Sequence, residues 1–350
     1  MAPLTVFIVA FVVSLALTPA VAWLARRFHV VDVPRAPKHV HVHPTPRWGG
    51  LAVSAGFFAA TIVIYWLHGT GRMPQPHDSA DWLRLRGVLL GAGAATLFGA
   101  YDDWRELRPR PQFAAHFILA IIAIGHTVFL ERFTNPLTNG LVVLPLWLVI
   151  PVTIFWVMGM INTVNWLDGL DGLATGVAAI AALLFAVHSY GRIGQLAVGL
   201  FPVALMGACL GFLPWNFYPA RIFLGTAGSM FLGYNLAAFS LIAPAKLATA
   251  LLVLGIPILD VAWQIVVRIR HGRAPWLADR SHLHHRLFDL GLSQRQVVIG
   301  YYVFCAGFGG LALVLSSRLH KLIALAILSA VVLGTLIALT VQSESQSHNP

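Results

Sequence analysis

Residues 3–24 read PLTVFIVAFVVSLALTPAVAWL and contain no charged side chain. The run is about as long as the roughly 20 apolar residues that an α-helix needs to cross a bilayer. It has no basic segment before it and no small-residue cleavage site after it, so we expect a transmembrane span and not a removable signal peptide. This stretch predicts a helical membrane protein.

Apolar runs of similar length follow along the rest of the chain, and none has the weak alternation of a membrane barrel. With 58% hydrophobic and 10% charged residues, the composition differs strongly from the roughly 25% charge of soluble domains. We therefore predict an all-α integral membrane protein with about eleven transmembrane helices. The predicted spans lie near 3–24, 49–68, 83–100, 112–130, 142–161, 172–187, 195–213, 224–242, 247–267, 297–315 and 322–340.

The 350-residue chain shows no internal repeat at a fixed period and no low-complexity linker. We expect one multispan domain over 1–340 and a polar tail over 341–350. The two cysteines, Cys209 and Cys305, lie inside apolar runs without a partner spacing, so the sequence indicates neither a disulfide framework nor a zinc site.

The basic residues are unevenly divided between the two sides of the predicted bundle. One side carries 15 of the 23 Lys and Arg residues, and by the positive-inside rule that side is cytoplasmic, with the N-terminus outside and the C-terminus inside. A net charge of +10 would suggest nucleic acid in a soluble chain. Here we expect no nucleic-acid partner, and attribute the charge to loops beside anionic lipid, Arg26 and Arg27 among them, and to an anionic substrate.

The stretch NTVNWLDGLDG, residues 162–172, repeats an amide or a carboxylate every three residues, at Asn162, Asn165, Asp168 and Asp171. On a helix this spacing forms one stripe, and such a stripe at a membrane boundary is costly without a partner. Mg²⁺ takes oxygen ligands and is often shared with substrate phosphates, so it is one candidate partner. A cation or proton pathway is the other, although only Asp260 lies deep enough in an apolar run to serve one.

Adjacent carboxylates also follow a predicted span directly, at Asp102 and Asp103 in YDDWRELRPR. Alone, this pair would be read as an acidic loop. Its predicted position on the same side as the other polar clusters favours a functional role, because carboxylates and basic groups on one surface are what phosphoryl transfer requires.

Arginines flank three histidines in DRSHLHHRL, which contains Arg280, His282, His284 and His285. Both residue types donate hydrogen bonds to phosphate oxygens, so the cluster indicates an anion site. Zinc is the alternative, but the sequence has no nearby cysteine or spaced carboxylate to complete a ligand set.

A second basic cluster occupies the first cytoplasmic loop, RAPKHVHVHPTPRWGG. Positive-inside charge alone explains many such residues. For Lys38, His39 and Arg47 a phosphate-binding role is an equally good interpretation.

These clusters resemble, in order and over most of the chain, the polyprenyl-phosphate N-acetylhexosamine-1-phosphate transferases. The matching motifs are KHVHVHPTPRWGG, YDD, NTVNWLDGLDGLATG, GFLPWNFYPARIFLGTAGS, PILDV and DRSHLHHRL. The form HLHHRL is more similar to the N-acetylglucosamine-1-phosphate branch than to the related phospho-N-acetylmuramoyl-pentapeptide transferases.

The resemblance implies a bacterial inner-membrane enzyme with a cytoplasmic active site that starts a cell-envelope glycan. The phosphate of undecaprenyl phosphate would attack a UDP-sugar, most simply UDP-GlcNAc, and release UMP. The implied cofactor is Mg²⁺, with Mn²⁺ as an alternative, and a homodimer is an implied assembly.

The resemblance also implies residue roles. Asp102 and Asp103 would deprotonate or position the lipid phosphate, Asn165 would bind the metal, and Asp168 and Asp171 would lie at the metal and the nucleotide. Phe223 would stack near the uracil, and the groups on the sugar and diphosphate would be Arg280, His282, His284 and His285.

One position departs from the family pattern. In the stretch RIFLGTAGSMFLG, residues 221–233, Thr226 stands where the family carries a metal-binding Asp. There are three explanations for this threonine: an engineered inactivating change, a natural variant with altered metal binding, or a catalytically silent binding protein. The stretch lacks the Lys of an ATP-type phosphate loop, and its small residues predict a close helix approach.

Overall fold

The computed structural model describes residues 1–33, 44–72, 79–190, 196–242, 244–272, 274 and 282–347. The predictions for Lys38, His39 and Arg280 lie outside these residues. The helices are α1 (Ala2–Arg27), α2 (Gly49–Gly69), α3 (Ser79–Arg105), α4 (Pro109–Gly125), α5 (Leu146–Leu167), α6 (Leu173–Tyr190), α7 (Leu196–Asn216), α8 (Gly225–Ile242), α9 (Pro244–Val253), α10 (Gly255–Arg270), α11 (Leu283–Asp289), α12 (Gln294–Val314) and α13 (Arg318–Ser347).

The ends of several helices follow from local sequence. Pro109 opens α4, where its missing N–H costs no helical hydrogen bond. Ser293 and Gln296 form a capping box that starts α12. Arg26 and Arg27 lie in the last turn of α1, where positive charge complements the helix dipole.

The described bundle confirms an all-α multi-pass membrane protein. Eight of its helices are long and apolar enough to cross a membrane, or nine if α9 and α10 count as one bent span. The count of eleven and the orientation of the termini stay predictions, because α4, with 17 residues, and α8, which begins with GTAGS, fall outside that set.

Helix α8 is the centre of the bundle. It packs against α2, α3, α5, α6 and α9, and every residue from Ala227 to Leu241 is buried. A helix that is apolar around its whole circumference belongs in a core. The chain therefore places the motif that begins α8 where several helices meet.

Small residues allow α8 to approach its neighbours closely, as the sequence predicts. A Cβ built on Gly228 would lie 2.9 Å from Cα of Gly50 in α2, and one on Gly233 would lie 2.6 Å from Cα of Ile161 in α5. A Cβ on Gly99 of α3 would collide with the backbone of Thr226. Close backbone contact of this kind is how membrane helices pack without large side chains.

One predicted span is wrong in shape. Residues 247–267 were expected to form one helix, but the chain breaks at Leu254 and α9 meets α10 at an angle of 74°. Gly255 and Pro257 follow the break, and both residue types weaken a continuous helix. The bend separates α10, which carries Asp260, from the direction of α9.

Two short hairpins interrupt the helices, and the sequence analysis predicted neither. β1 (Val31–Asp32) pairs antiparallel with β2 (Thr45–Pro46), and β3 (Arg132–Thr134) pairs antiparallel with β4 (Leu141–Val143). The β1–β2 hairpin lies at the end of the bundle where α1 ends and α2 begins. It brings Asp32 beside Arg47.

Candidate active site

A cavity of about 320 Å³ opens at the end of the bundle where α3 and α5 finish and α8 begins. This volume falls within the usual range of small-ligand sites. Eight predicted site residues line the cavity, together with Asp32 and Asn216, which the sequence analysis missed. The eight are Arg47, Asp103, Asn165, Asp168, Asp171, Phe223, Thr226 and His285.

Two acids, Asp103 in α3 and Asp168 just after α5, hold the first turn of α8. Oδ1 of Asp103 accepts from Thr226 N at 2.8 Å, and Oδ2 accepts from Ala227 N at 3.0 Å. The N–H of Gly225 donates to Asp168. Backbone N–H groups at a helix start have no partner within the helix, so the carboxylates and the α8 terminus stabilise one another.

Gly225 makes this arrangement sterically feasible. Its φ of +74° lies in the left-handed region, which side chains with a Cβ rarely adopt. A Cβ at this position would lie 2.7 Å from Oδ2 of Asp103. The glycine therefore supplies both the turn into α8 and the space for the carboxylate.

The predicted stripe of four polar residues does not form one helix face, which corrects the sequence interpretation. Helix α5 ends at Leu167 and Asp168 is its C-cap, so Asp168 and Asp171 lie in the turn that follows. Asn162 lies on the helix, but its side chain bonds to Met158 O at 2.8 Å and to Nδ1 of His116 at 3.3 Å, and it does not line the cavity.

The turn after α5 is itself held in place. Oδ2 of Asp171 accepts from Ala220 N at 3.0 Å, which ties the turn to the segment before α8. Oδ1 of Asn165 accepts from the hydroxyl of Ser229 at 3.3 Å. Burial, and then the negative charges of Asp103 and Asp171, hold the pKa of Asp168 well above its usual range.

Asp102 occupies a different position from its neighbour. Its carboxylate accepts from Nε2 of Gln112 at 2.9 and 3.1 Å and from Leu107 N at 3.1 Å. It is buried and does not line the cavity. The structure therefore gives Asp102 a place in the α3–α4 connection, and its predicted catalytic role stays a prediction.

Arg47 lies at the rim and is already paired. Its Nη2 lies 2.9 Å from Oδ1 of Asp32, and its Nη1 lies 3.5 Å from Oε1 of Glu106. Phe223 is fixed nearby through backbone bonds, because its N–H donates to Pro46 O at 2.8 Å and its carbonyl accepts from Gly49 N at 3.0 Å. The β1–β2 hairpin thereby forms one wall of the cavity.

The three histidines lie around α11, but only His285 lines the cavity. Nδ1 of His282 lies 2.9 Å from Oδ2 of buried Asp260, whose Oδ1 accepts from Leu283 N at 3.0 Å. The rings of His282 and His284 stack at 5.8 Å, and those of His284 and His285 lie 4.3 Å apart. Asp260 thus fixes the start of the helix that presents His285.

His284 is the most enclosed of the three. Burial, and then the charges of His285 and His282, hold its pKa well below the ordinary value, so it is neutral. Both of its ring nitrogens are buried without a hydrogen-bond partner in the described chain. A Cβ on Gly169 would lie 2.5 Å from Nε2 of His284, which places this ring directly against the turn after α5.

The donors at the α8 end are oxygen atoms suited to a hard cation. Asp168, Asn165 and Thr226 line the same cavity. Within the described residues, however, no three His, Cys, Asp or Glu side chains are grouped to hold a metal ion. The residues fit Mg²⁺ held by one or two carboxylates and completed by waters and phosphates, and do not form a complete cage.

The sequence is similar to those of known membrane transferases. Residues 85–244 match the sequence profile of glycosyl transferase family 4. The chain is 32% identical over 317 residues to the "probable undecaprenyl-phosphate N-acetylglucosaminyl 1-phosphate transferase" of Bacillus subtilis, covering 89% of this chain and 84% of the relative.

Two further relatives are similar at the same level. The decaprenyl-phosphate N-acetylglucosaminephosphotransferase of Mycobacterium leprae is 33% identical over 82% of this chain and 77% of its own length. The phospho-N-acetylmuramoyl-pentapeptide-transferase of Desulforudis audaxviator is 34% identical over 84% of this chain and 92% of its own length. The chain belongs to the polyprenyl-phosphate N-acetylhexosamine-1-phosphate transferase family.

Proposed function

We propose that this chain transfers GlcNAc-1-phosphate from UDP-GlcNAc to undecaprenyl phosphate. An oxygen of the lipid phosphate attacks the sugar-linked phosphorus of the donor, and the bond from that phosphorus to the oxygen of UMP breaks. UMP leaves, and the product is an undecaprenyl-diphosphate-linked sugar. The site would face the cytoplasm of the bacterial inner membrane, where the product starts a cell-envelope glycan.

One observation carries the proposal. A single cavity brings together the carboxylates of Asp103, Asp168 and Asp171 with the basic groups of Arg47 and His285. Phosphoryl transfer depends mainly on positioning and on neutralising charge, so it needs both kinds of group around one phosphate chain. The names of the Bacillus subtilis and Mycobacterium leprae relatives support GlcNAc-1-phosphate and a polyprenyl phosphate as the transferred group and the acceptor.

We further propose Mg²⁺ as the cofactor, with Mn²⁺ as a substitute. Asp168 and Asn165 would hold it, with the hydroxyl of Thr226 or a water in the position of the family's Asp. When bound, the ion neutralises the diphosphate of the donor. The high pKa of Asp168 supports this assignment, because a cation would relieve the repulsion from the two neighbouring carboxylates.

The chain's own residues supply the remaining functions. Asp103 is held rigidly by the α8 terminus and would orient the incoming lipid phosphate. His285 would donate a hydrogen bond to the sugar diphosphate, and Phe223 would cover the base. The neutral ring of His284 would pack against the turn after α5 and would place no charge beside the substrate.

A second function is favoured by Thr226. A neutral hydroxyl in place of a carboxylate leaves a weaker cation site, and a chain with such a site could bind a nucleotide sugar without turning it over. This silent membrane protein is the alternative to the enzyme.

An assay with radiolabelled UDP-GlcNAc, undecaprenyl phosphate and Mg²⁺ separates the two functions. Labelled lipid product, absent when EDTA replaces Mg²⁺, supports the enzyme. Binding of UDP-GlcNAc without labelled product supports the silent protein. A panel of other UDP-N-acetylhexosamines under the same conditions tests the choice of sugar.

A further inference from the structure

A second cavity, of about 340 Å³, lies behind the candidate active site. The last third of α1 forms one side through Thr18, Pro19 and Arg26, and the segment between α7 and α8 forms the other through Trp215 and Arg221. Its lining among the described residues includes two arginines and no carboxylate. The cavity therefore has the charge of an anion site.

The two arginines are available to an anion. Arg26 and Arg221 are exposed, and neither forms an ion pair with a carboxylate of the described chain. The Arg221 guanidinium lies 5.4 Å from the ring centre of Trp215, a cation–π distance that restrains it. This differs from Arg47 in the first cavity, which pairs with two acids.

Trp215 adds an independent indication of a ligand. Its Nε1 is buried and has no acceptor within the described residues. An indole N–H can only donate, and buried donors are nearly always satisfied. A ligand with acceptor oxygens would satisfy this donor and contact both guanidinium groups.

The position of the cavity points to lipid as the source of those oxygens. Helix α1 exposes Trp23 beside this site, since Trp23 lies one helical turn from both Pro19 and Arg26, which line the cavity. Apolar and Trp side chains followed by basic residues are typical of a helix end at the level of lipid headgroups. A ligand here would have a phosphate among the arginines and acyl chains along α1.

The wall between the two cavities links this site to the first. Asn216 and Phe223 line the candidate active site, whereas Trp215 and Arg221 line the second cavity. Within the wall, Arg221 N donates to Trp215 O at 2.8 Å, and Nδ2 of Asn216 donates to Ile222 O at 3.1 Å. A phosphate held on one side would steady the segment that shapes the other.

We propose that this second cavity binds the phosphate of an anionic membrane phospholipid. Arg26 and Arg221 form the charged contacts, the Trp215 N–H donates a further hydrogen bond, and the acyl chains lie against the exposed face of α1. This site is separate from the proposed transfer of sugar phosphate and requires neither donor nor turnover.

Native mass spectrometry of the delipidated full chain, with phosphatidylglycerol or phosphatidylcholine added, tests the proposal. We expect one phosphatidylglycerol to be retained in preference to phosphatidylcholine. The double variant Arg26→Gln/Arg221→Gln should bind it at least about tenfold more weakly, since each removed arginine loses charged hydrogen bonds to the phosphate. Arg27→Gln is the matched control, because Arg27 is exposed at the same helix end and does not line the cavity.

Four results would overturn the assignment. If the double variant and Arg27→Gln both retain as much lipid as the wild type, the cavity is not the binding site. If both lose the same amount of bound lipid, general positive charge is sufficient. Competition by inorganic phosphate at the concentration of the lipid would show that the acyl chains contribute nothing. Preferential retention of undecaprenyl phosphate through the same two arginines would assign the cavity to the acceptor substrate.

A second variant keeps the test informative if the double variant folds poorly. Trp215→Phe preserves the ring under Arg221 and removes only the indole N–H. We expect weaker retention of phosphatidylglycerol with an unchanged melting temperature in neutral detergent. Unchanged retention would remove Trp215 from the site and overturn the proposed contact.

Discussion

The backbone N–H of Thr226 donates a hydrogen bond of 2.8 Å to Oδ1 of Asp103, so a carboxylate of α3 holds the first turn of α8. The N–H groups of Gly225 and Ala227 also donate to carboxylates. The start of α8 is therefore capped by residues from outside this helix. A substitution at position 226 therefore keeps this backbone donor and changes only the side chain that lines the cavity.

Thr226→Asp should strengthen Mg²⁺ binding and raise turnover. The third carboxylate adds charge where Asp103 and Asp168 already meet, and a gain in metal affinity of about 10- to 100-fold is typical of residues that tune a metal site. In EDTA the added repulsion should lower the melting temperature. Thr226→Asn is the control of the same size without charge, and an equal gain in that variant would contradict the role of the carboxylate.

Asp168 should make the metal-free stability depend on pH. Burial, and then the charges of Asp103 and Asp171, raise its pKa, so above the ordinary value of about 4 the folded chain binds more protons than the unfolded chain. This contribution to stability is therefore lost as pH rises toward the folded pKa. In EDTA, Asp168→Asn should gain in melting temperature relative to wild type between about pH 5 and pH 8.

Mg²⁺ should reverse this pH dependence, because the ion favours the ionised carboxylate. With saturating Mg²⁺ the wild-type chain should be the more stable of the two at the upper end of the range. His284 is present in both proteins and cancels from the difference, which therefore reports Asp168 together with its coupling to Asp103 and Asp171. A difference that stays constant with pH in EDTA would contradict the raised pKa.

Gly225→Ala should destabilise the protein and lower its activity. The substitution forces a Cβ into a left-handed backbone, at a cost of about 1–2 kcal/mol, and pushes it against Asp103. Gly291→Ala is the matched control, since Gly291 has φ +95° and a Cβ there would meet no described heavy atom within 4 Å. Thermal unfolding of both variants separates backbone strain from collision with the carboxylate. Equal losses of melting temperature in the two variants would show that the collision with Asp103 contributes nothing.

Asp102→Asn should reduce stability more than it reduces substrate binding. Its carboxylate joins Gln112 to the α3–α4 connection and does not reach the cavity. An Asn side chain turns one acceptor into a donor, and a buried mismatch of this kind costs about 1–3 kcal/mol. We expect a lower melting temperature with an unchanged KM for UDP-GlcNAc, whereas a stable variant without turnover would restore a direct catalytic role.

Asp260→Asn should loosen the helix that presents His285. The variant keeps the size of the side chain but cannot accept from both His282 and Leu283, which leaves one buried donor unsatisfied at about 1–3 kcal/mol. We expect a higher KM for UDP-GlcNAc and a lower melting temperature. Asp81→Asn is the control, because it removes only the half-buried pair with Arg84 at the end of α3 far from the cavity. A KM change as large in that variant would contradict the anchoring role.

The fold could be predicted well because each apolar run specifies a helix independently of its neighbours. The predicted span 49–68 corresponds to α2 at Gly49–Gly69, and 224–242 corresponds to α8 at Gly225–Ile242. The break at Leu254 was missed because an apolar run has the same composition whether its helix is straight or bent. Gly255 and Pro257 were the only local signal.

The candidate site was predictable in residue type more than in orientation. Consecutive residues on a helix point about 100° apart, so Asp102 and Asp103 project in different directions. Tertiary contacts decide which of them faces the cavity. The stripe from Asn162 to Asp171 failed because Gly169 and Gly172 follow the end of α5. Asp32 was missed because a two-residue strand has no recognisable period.

The close approach of Gly50 and Gly228 gives the glycines of GTAGS a structural role. Cα of Gly50 lies within 2.9 Å of a Cβ position on Gly228, so the glycines of GTAGS are required for three helices to assemble, whether or not the protein turns over substrate. Selection for a correctly inserted membrane protein is enough to preserve them. In this motif the glycines serve the assembly of the bundle, whereas residue 226 is the position on which the proposed metal site would depend.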